Sequence, residues 1–389
     1  MRIAMIGQKG IPAKFGGVET HVHDLSVRLV KEGHRVTVYS RYWYTKSTSS
    51  FIEGVFAKVL PSIETKHLDT ISHTFLSTID AIQSKHDVIH YHGVGPALLS
   101  WIPRLFAPEI TVVTTFHAID RKQIKWGPIA KIILTLGERA ATTFAHTTIA
   151  VSKTIQTYIK DTYNVDADYI PNGVPVYTKN RNLSTLQKWN LSPQQYIVAV
   201  SRLIPDKGID YLVKAFIALK QSNPTAIINK KLVIVGDGYN TDEYVQSLYD
   251  LAEGHDDIIF TGFQTGDDLH QLFSHAALMV HPSDQEGLPI AVLEGMAFGL
   301  PVLVSDIPQH KELIKDSQYL FAQGNISSLE KKLADIFRIK KSDLKKTTEK
   351  NKQLVYNQYD WDTIVTKTAM LYTHAKEKQA RLDTLVYTK

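Results

Sequence analysis

Two glutamates stand eight positions apart in HPSDQEGLPIAVLEGMAFGLPVLVSD, the stretch from His281 to Asp306. Glu286 falls in a loop and Glu294 inside a helical stretch, with Pro289 between them. Proline suits the first position of a helix, where its missing N–H costs nothing. A helix starting at Pro289 leaves the amides of Leu288, Ile290 and Ala291 without intrahelical partners, and Gly287 lets a ligand come close. Such free amides form an anion site whose usual guest is phosphate. Glu294 lies five residues further in, about 7.5 Å along the axis. A carboxylate beside a bound phosphate commonly pairs with ribose hydroxyls. Glu286, before the helix, reaches what hangs from the other side of the phosphates. A nucleotide joined to a polyhydroxylated group fits that pattern. Spacing alone favours the plainer reading, a solvated loop glutamate and a surface helix glutamate.

Two other stretches shift the balance. SRLIPDKG (Ser201–Gly208) follows a strand, and its Arg202 and Lys207 flank a turn at the carboxyl end, where a diphosphate needs cations. Gly16-Gly17 opens a helix and offers a second anion site with room for the backbone to approach. An ordinary surface turn and a tight glycine turn are the bland alternatives.

The elements that must position these residues read as two α/β series. The first runs from the strand Arg2–Ile6 through a glycine loop, Gly7 to Gly17, into a helix with Val18, Val22, Leu25 and Leu29 on one face. Gly33 ends that helix, and the strand Val36–Tyr39 follows. Asp87–Tyr91, Ile110–Phe116 and Thr148–Val151 read as further buried strands, with a helix over 129–145. Asn172-Gly173, between two prolines, reads as a turn that closes the series. The second series places strands at Tyr196–Ser201, Lys231–Val235, Ile258–Thr261, Ala277–His281 and Pro301–Ser305. The expected organisation is an N-terminal domain over 1–173, a second over 174–360 and C-terminal helices over 361–389. Ligands in such folds sit beyond the carboxyl ends of strands, and two such domains face to face make a cleft.

Composition narrows the class. The 389 residues are 43% hydrophobic and 21% charged, as in an ordinary globular protein, and no residue is cysteine, which excludes disulfides and thiolate metal sites. This fits a cytoplasmic protein. The opening MRIAMIGQKGIP is broken too early by glycine and proline for a signal peptide, and no apolar run reaches membrane-spanning length. The net charge of +5 divides unevenly: residues 1–180 carry +6 and residues 181–389 carry −1. The excess is scattered, and no zinc-finger spacing or RNA-binding aromatic motif accompanies it, so nucleic acid is not an expected partner.

The residues carry a resemblance. FGGVETHVHDLSVRLVKEGHRVTVYS, TTFHAID, VSRLIPDKG and EGLPIAVLE resemble, in order, the glycine loop, histidine segment, Arg/Lys diphosphate segment and E-x7-E signature of glycosyltransferase family 4. YIPNGV, IVGDG, FTGF and YDW are smaller matches, and together they span nearly the whole chain. The resemblance implies the GT-B fold, two Rossmann-like doubly wound domains facing across a cleft. It implies a retaining, metal-independent transferase that needs no cofactor and uses a nucleotide-sugar as donor. Glu286 would then contact the donor sugar and Glu294 the ribose. Arg202 and Lys207 would hold the diphosphate, helped by amides at Gly16, Gly17, Gly287 and Leu288. His117 would sit at the reaction centre, orienting and polarising; without the other motifs it reads as a core histidine. The family often has glycine after this histidine, where this chain has Ala118. Asp120 and Arg121 fall on the acceptor side, with Lys122 and Lys125 nearby as either acceptor contacts or surface lysines. Trp361 in YDW would start a final helix crossing back to the first domain.

The opening IGQKGIPAKFGGVETHV resembles bacterial members that build cell-surface polysaccharides, some of them rhamnosyltransferases. That resemblance implies a glycan or lipid-linked glycan acceptor and contact with the inner face of the membrane. Trp101, Ile102, Leu105 and Phe106 in SWIPRLF suit either a membrane contact or the core, and the core is the expectation. The competing readings are a sugar-nucleotide 2-epimerase of the same fold, a glycogen-type synthase or phosphorylase, and a non-catalytic nucleotide-sugar binder.

Overall fold

The computed structural model describes residues 1–387 apart from 15, 66–67, 124–125 and 239–240, with side chains to residue 380. The chain divides into two compact units: Met1–Gly173 with Trp361–Lys389, and Val174–Asp360.

In the first unit, β1 (Arg2–Ile6) buries Ile3, Ala4, Met5 and Ile6 completely, as a central parallel strand covered on both faces requires. The other strands are β2 (Arg35–Arg41), β3 (Ser50–Ile52), β4 (Val55–Leu60), β5 (Val88–His92), β6 (Thr111–Phe116), β7 (Thr147–Ala150) and β8 (Asp168–Tyr169). Among the described residues they form one sheet in the order β3-β4-β2-β1-β5-β6-β7-β8, parallel except where β3 meets β4. The β3–β4 hairpin turns at Glu53 and Gly54, both at positive φ (48° and 84°), as a two-residue hairpin turn demands.

The chain leaves β1 towards β2 and later returns past it to β5, so the direction of progression reverses between β1 and β5. With right-handed crossovers, the Gly17–Lys31 helix lies on one face of the sheet. The Asp69–Gln83, Val94–Ala97, Trp101–Phe106 and Pro128–Thr143 helices lie on the other. The Trp361–Tyr387 helix packs on Gly17–Lys31 and on β6. Its Trp361, Ile364, Val365 and Tyr372 join Val22, Leu25 and Leu29 in one buried cluster.

The second unit has β9 (Tyr196–Val200), β10 (Lys231–Val235), β11 (Ile258–Gly262), β12 (Leu278–His281), β13 (Val302–Ser305) and β14 (Leu320–Phe321). Their order is β11-β10-β9-β12-β13-β14, all parallel, with the reversal between β9 and β12.

Three details differ from the sequence expectations. The helix after Glu286 is Ile290–Ala297, with Pro289 as its cap: the Pro289 carbonyl accepts from the amides of Val292 (3.1 Å) and Leu293 (3.2 Å). Gly173 makes no left-handed turn. It is needed because a Cβ there would lie 2.5 Å from the Trp361 ring. Of SWIPRLF, only Ile102 among the four apolar residues joins the core; Trp101, Leu105 and Phe106 are exposed. Among the described residues no helix is long and apolar enough to cross a membrane.

Candidate active site

The two loops that leave β9 and β12 flank the reversal of the second sheet, the place where open α/β sheets bind ligands. The first holds Arg202 and Lys207, the second Glu286. Their backbones are tied together, since the Asp284 amide donates to the Asp206 carbonyl at 2.9 Å. Gly208 closes the first loop at φ 62°, and a Cβ there would sit 2.4 Å from the Pro282 carbonyl oxygen. Alanine at 208 is therefore strained twice. Gly208→Ala is expected to lower stability by about 1–3 kcal/mol and to displace Lys207. A denaturation curve and a nucleotide-binding isotherm read the two effects separately.

The Lys207 ammonium bonds to Glu286 Oε1, which also accepts from His281 Nε2 at 2.8 Å. Burial pushes the Glu286 carboxyl up. The Lys207 charge and the His281 hydrogen bond override that and hold it well below the usual carboxylate range. Glu286 is thus a carboxylate, and His281 gives it the Nε2 proton. Behind them, His310 Nδ1 faces the Ser305 carbonyl at 2.9 Å, so its proton sits there. Burial lowers the His310 pKa to about 3, with the neighbouring His281 lowering it further. The bare Nε2 of His310 has no hydrogen-bond partner.

Arg202 differs from Lys207. Its side chain is exposed and, among the described residues, makes no hydrogen bond or ion pair. An exposed guanidinium fork held at the reversal is available to an anion. Gly287 and Leu288 lead into the Ile290–Ala297 helix, and Glu294 lies on that helix. The Tyr177 hydroxyl donates to Glu294 Oε1 at 3.1 Å, and the Tyr177 ring stacks on Phe298 at 4.3 Å. Sequence reasoning did not name Tyr177, His281 or His310 as site residues. His281 had a signal: it ends β12, directly before the glutamate loop.

In the first unit, the loops after β1 and β5 flank the corresponding reversal. Gly16 caps the Gly17–Lys31 helix at φ 101°, and a Cβ there would lie 2.2 Å from the Glu19 carboxylate. Glu19 is buried, and its Oε1 accepts from the Lys9 amide at 3.1 Å. The Gly16-Gly17 helix start therefore already has a carboxylate of this chain beside it.

His117 follows β6 and meets His92, the last residue of β5: His92 Nδ1 lies 3.1 Å from His117 Nε2. The other nitrogen of His92, Nε2, faces the Met5 sulfur at 3.3 Å. A thioether has no proton to give, so Nε2 carries the proton and Nδ1 is bare. His117 must then donate its Nε2 proton to His92, and this tautomer, assigned from the partners, leaves Nδ1 of His117 as an acceptor. Burial first, then the neighbouring histidines, hold both pKa values well below the usual range. His117 is a neutral imidazole: it can accept a bond from a hydroxyl, but it is no acid near neutral pH. His90 Nδ1 meets the Tyr372 hydroxyl at 2.7 Å, and His21 packs 5.7 Å from the Trp361 ring, so the final helix braces this cluster.

Asp120 and Arg121 form a short 3₁₀ turn with Lys122. Arg121 Nε donates to the Tyr158 hydroxyl at 2.8 Å and lies 3.2 Å from the fully buried Glu138. Arg121 is thus tied into the scaffold, and Lys122 lies over the Tyr158 ring. Lys125 lies outside the described residues. Two groups among the described residues bring potential metal donors together: His21, His92 and His117, and His281, Glu286 and His310.

Residues 15–177 match the model of Glycosyltransferase Family 4, and residues 185–361 match that of Glycosyl transferases group 1. The protein is a glycosyltransferase. An uncharacterised glycosyltransferase of Methanocaldococcus jannaschii is 28% identical over 98% of this chain and 100% of that one. The lipopolysaccharide 1,2-N-acetylglucosaminetransferase of Salmonella typhimurium is 30% identical, over 50% of this chain and 53% of its own length. Sucrose-phosphate synthase from Thermosynechococcus elongatus superposes with a TM-score of 0.81 at 20% identity, covering 96% of this chain and 98% of that one. The Anabaena protein HepE, solved with UDP-glucose, superposes with a TM-score of 0.78 at 19% identity over 96% and 100%. These likenesses establish the α/β GT-B fold of this glycosyltransferase. The epimerase and non-catalytic readings are not favoured beside them.

Proposed function

We propose that this glycosyltransferase takes its sugar from a nucleotide-diphosphate sugar, retains the anomeric configuration and uses no resident metal. Its acceptor is a hydroxyl of a glycan or lipid-linked glycan in bacterial cell-surface polysaccharide synthesis. The observation that carries the donor reading is Arg202, exposed and without a side-chain partner among the described residues, in one loop with Lys207 at the reversal of the second sheet, next to a helix start. The likeness to HepE, solved with UDP and with UDP-glucose, supports it. The name of the Salmonella relative supports the polysaccharide acceptor.

The reaction breaks the bond between the anomeric carbon and a phosphate oxygen. Its transition state resembles an oxocarbenium ion, and negative charge collects on the departing diphosphate. Arg202, Lys207 and the amides from Gly287 onward stabilise that charge. Lys207 is shared: it neutralises Glu286 and presents its remaining N–H bonds to phosphate. Glu286, kept ionised, accepts from sugar hydroxyls, and Glu294, steadied by Tyr177, accepts from the ribose. The acceptor oxygen attacks from the face that the phosphate leaves, its proton passes to the phosphate oxygen, and configuration is kept. His117 orients a hydroxyl through its bare Nδ1.

The test is thermal stabilisation by UDP, GDP, dTDP and ADP, each with magnesium and with EDTA. A ligand at 100 times its dissociation constant is expected to add about 2.7 kcal/mol. One nucleotide is expected to stabilise, indifferent to EDTA. No stabilisation overturns the donor site, and a shift that needs magnesium overturns its metal independence.

A further inference from the structure

Four histidines crowd the carboxyl end of the first sheet: His21 on the Gly17–Lys31 helix, His90 and His92 on β5, and His117 after β6. One of them is spent. His90 Nδ1 meets the Tyr372 hydroxyl at 2.7 Å and its Nε2 the Thr115 hydroxyl at 2.6 Å, so both its nitrogens are engaged. The other three each bring one ring nitrogen within 4.8 Å of the others. His21 and His92 are buried, and the Nδ1 of His21 has no hydrogen-bond partner. A buried polar nitrogen in that state is costly unless a ligand satisfies it. His117 is half-buried, so the cluster is open to solvent on its side. Burial keeps all three imidazoles neutral near pH 7, His21 with a pKa of about 4, and no proton competes for their lone pairs.

Three neutral imidazoles suit a borderline cation such as Zn²⁺, Ni²⁺ or Cu²⁺, and not Mg²⁺ or Ca²⁺, which take oxygen ligands. Around a tetrahedral zinc with bonds of about 2.0–2.1 Å, the ligand nitrogens lie roughly 3.3 Å apart. His92 Nδ1 and His117 Nε2 already stand at 3.1 Å. The widest separation in the group has to close by no more than about 1.5 Å. His92 is preset for ligation: its proton sits on Nε2 against the Met5 sulfur, and the lone pair of Nδ1 faces His117. The other such group, His281, Glu286 and His310, is a poorer host. The Lys207 ammonium already lies against its carboxylate and repels a second cation.

We propose that His21, His92 and His117 form a binding site for a zinc-class divalent cation, and that filling it takes His117 out of use. The cation bonds Nε2 of His117, whose proton passes through solvent to Nδ1; no proton or electron is gained or lost. Nδ1 then donates where it had accepted, and His117 no longer receives a bond from a hydroxyl. The site stands apart from the donor reading, and only this consequence rests on the role proposed for His117. The full chain, stripped with EDTA and desalted, is titrated with Co²⁺, whose visible absorption reports its coordination. One equivalent is expected to bind with the spectrum of a four- or five-coordinate ion. Zn²⁺ is expected to displace it and Mg²⁺ to leave it. His21→Ala is expected to weaken binding by more than the roughly 10–100-fold that loss of an outer-shell partner costs. His117→Ala, changed at the half-buried member, is expected to do the same, and denaturation curves show that each variant is folded. In spectra of the ¹⁵N-histidine protein, Zn²⁺ is expected to turn Nδ1 of His117 from bare to protonated. No cobalt spectrum, binding that survives both variants, or binding lost instead in Glu286→Gln overturns the site. An unchanged His117 tautomer in the zinc-loaded protein overturns its effect.

Discussion

Arg202→Ala is expected to unfold at the wild-type temperature and to turn over about 10²–10³-fold more slowly, the usual effect of removing one group that stabilises transition-state charge. The first half follows from its exposure and its lack of a side-chain partner among the described residues. Lys207→Ala is expected to lose a similar factor and stability as well. It leaves the nearly buried Glu286 carboxylate with the His281 hydrogen bond but without its lysine, and breaking such a pair costs about 3–5 kcal/mol. Lys207→Ala with Glu286→Gln removes the orphaned charge. The double variant is expected to regain stability and to remain inactive. Turnover, nucleotide affinity and denaturation midpoints of the four proteins separate the roles. Near-wild-type turnover in Arg202→Ala would show that the diphosphate is held elsewhere.

Much of this site could be read in the sequence because its residues cluster in two short loops, each just past a strand that is apolar throughout. YIVAVS and ALMVH have no polar face, which marks them as central strands. Central parallel strands carry ligand loops at their carboxyl ends. Strand order is the part a sequence withholds. That β9 neighbours β12, bringing Lys207 against Glu286, depends on the crossover from β11, which passes over β10 and β9.

The misses have the same origin. Tyr177 stands in a polar linker with no periodic signal, and only the fold brings it to Glu294, 117 positions away. His92 and Met5 set the tautomer of His117 from neighbouring strands, and nothing in either residue's local sequence points to the other. The Pro128–Thr143 helix shows the limit of hydrophobic periodicity. Its stripe of Ile129, Ile132, Ile133 and Leu136 gives the helix, but not whether the apolar side faces inward; the stripe is exposed, and Gly137, Ala140 and Ala141 on the other side are buried. The β3–β4 hairpin has a local signal, Glu53-Gly54 between apolar runs, but β3 is only three residues long and carries too little alternation to read as a strand.

Lowering the pH from 7.5 to 5 is expected to destabilise the protein steeply, and the first unit before the second. Burial lowers His21 and His73 to about 4 and His90 and His310 to about 3, and all four are almost wholly inaccessible to solvent. An unfolded histidine titrates near 6.5, so between these values the unfolded chain binds more protons than the folded one. Stability then rises with pH through this window, is complete above about 6.5 and is lost as the pH falls below it. By pH 5 the loss is on the order of 2 kcal/mol for each of these imidazoles. Glu286 works in another window. Its lowered carboxyl contributes stability above the ordinary carboxylate range, which is lost only as the pH falls below about 4. The slope between 7.5 and 5 therefore belongs to the histidines. Three of the four, His21, His73 and His90, sit in the first unit and one in the second. Denaturant titrations followed by hydrogen exchange resolve the two units, and the first is expected to lose more. His73→Asn is expected to flatten its slope by one proton's share without touching the site. Stability unchanged between pH 7.5 and 5 would mean that these imidazoles take up protons in the folded state, and a neutral His117 beside them would fall with that result.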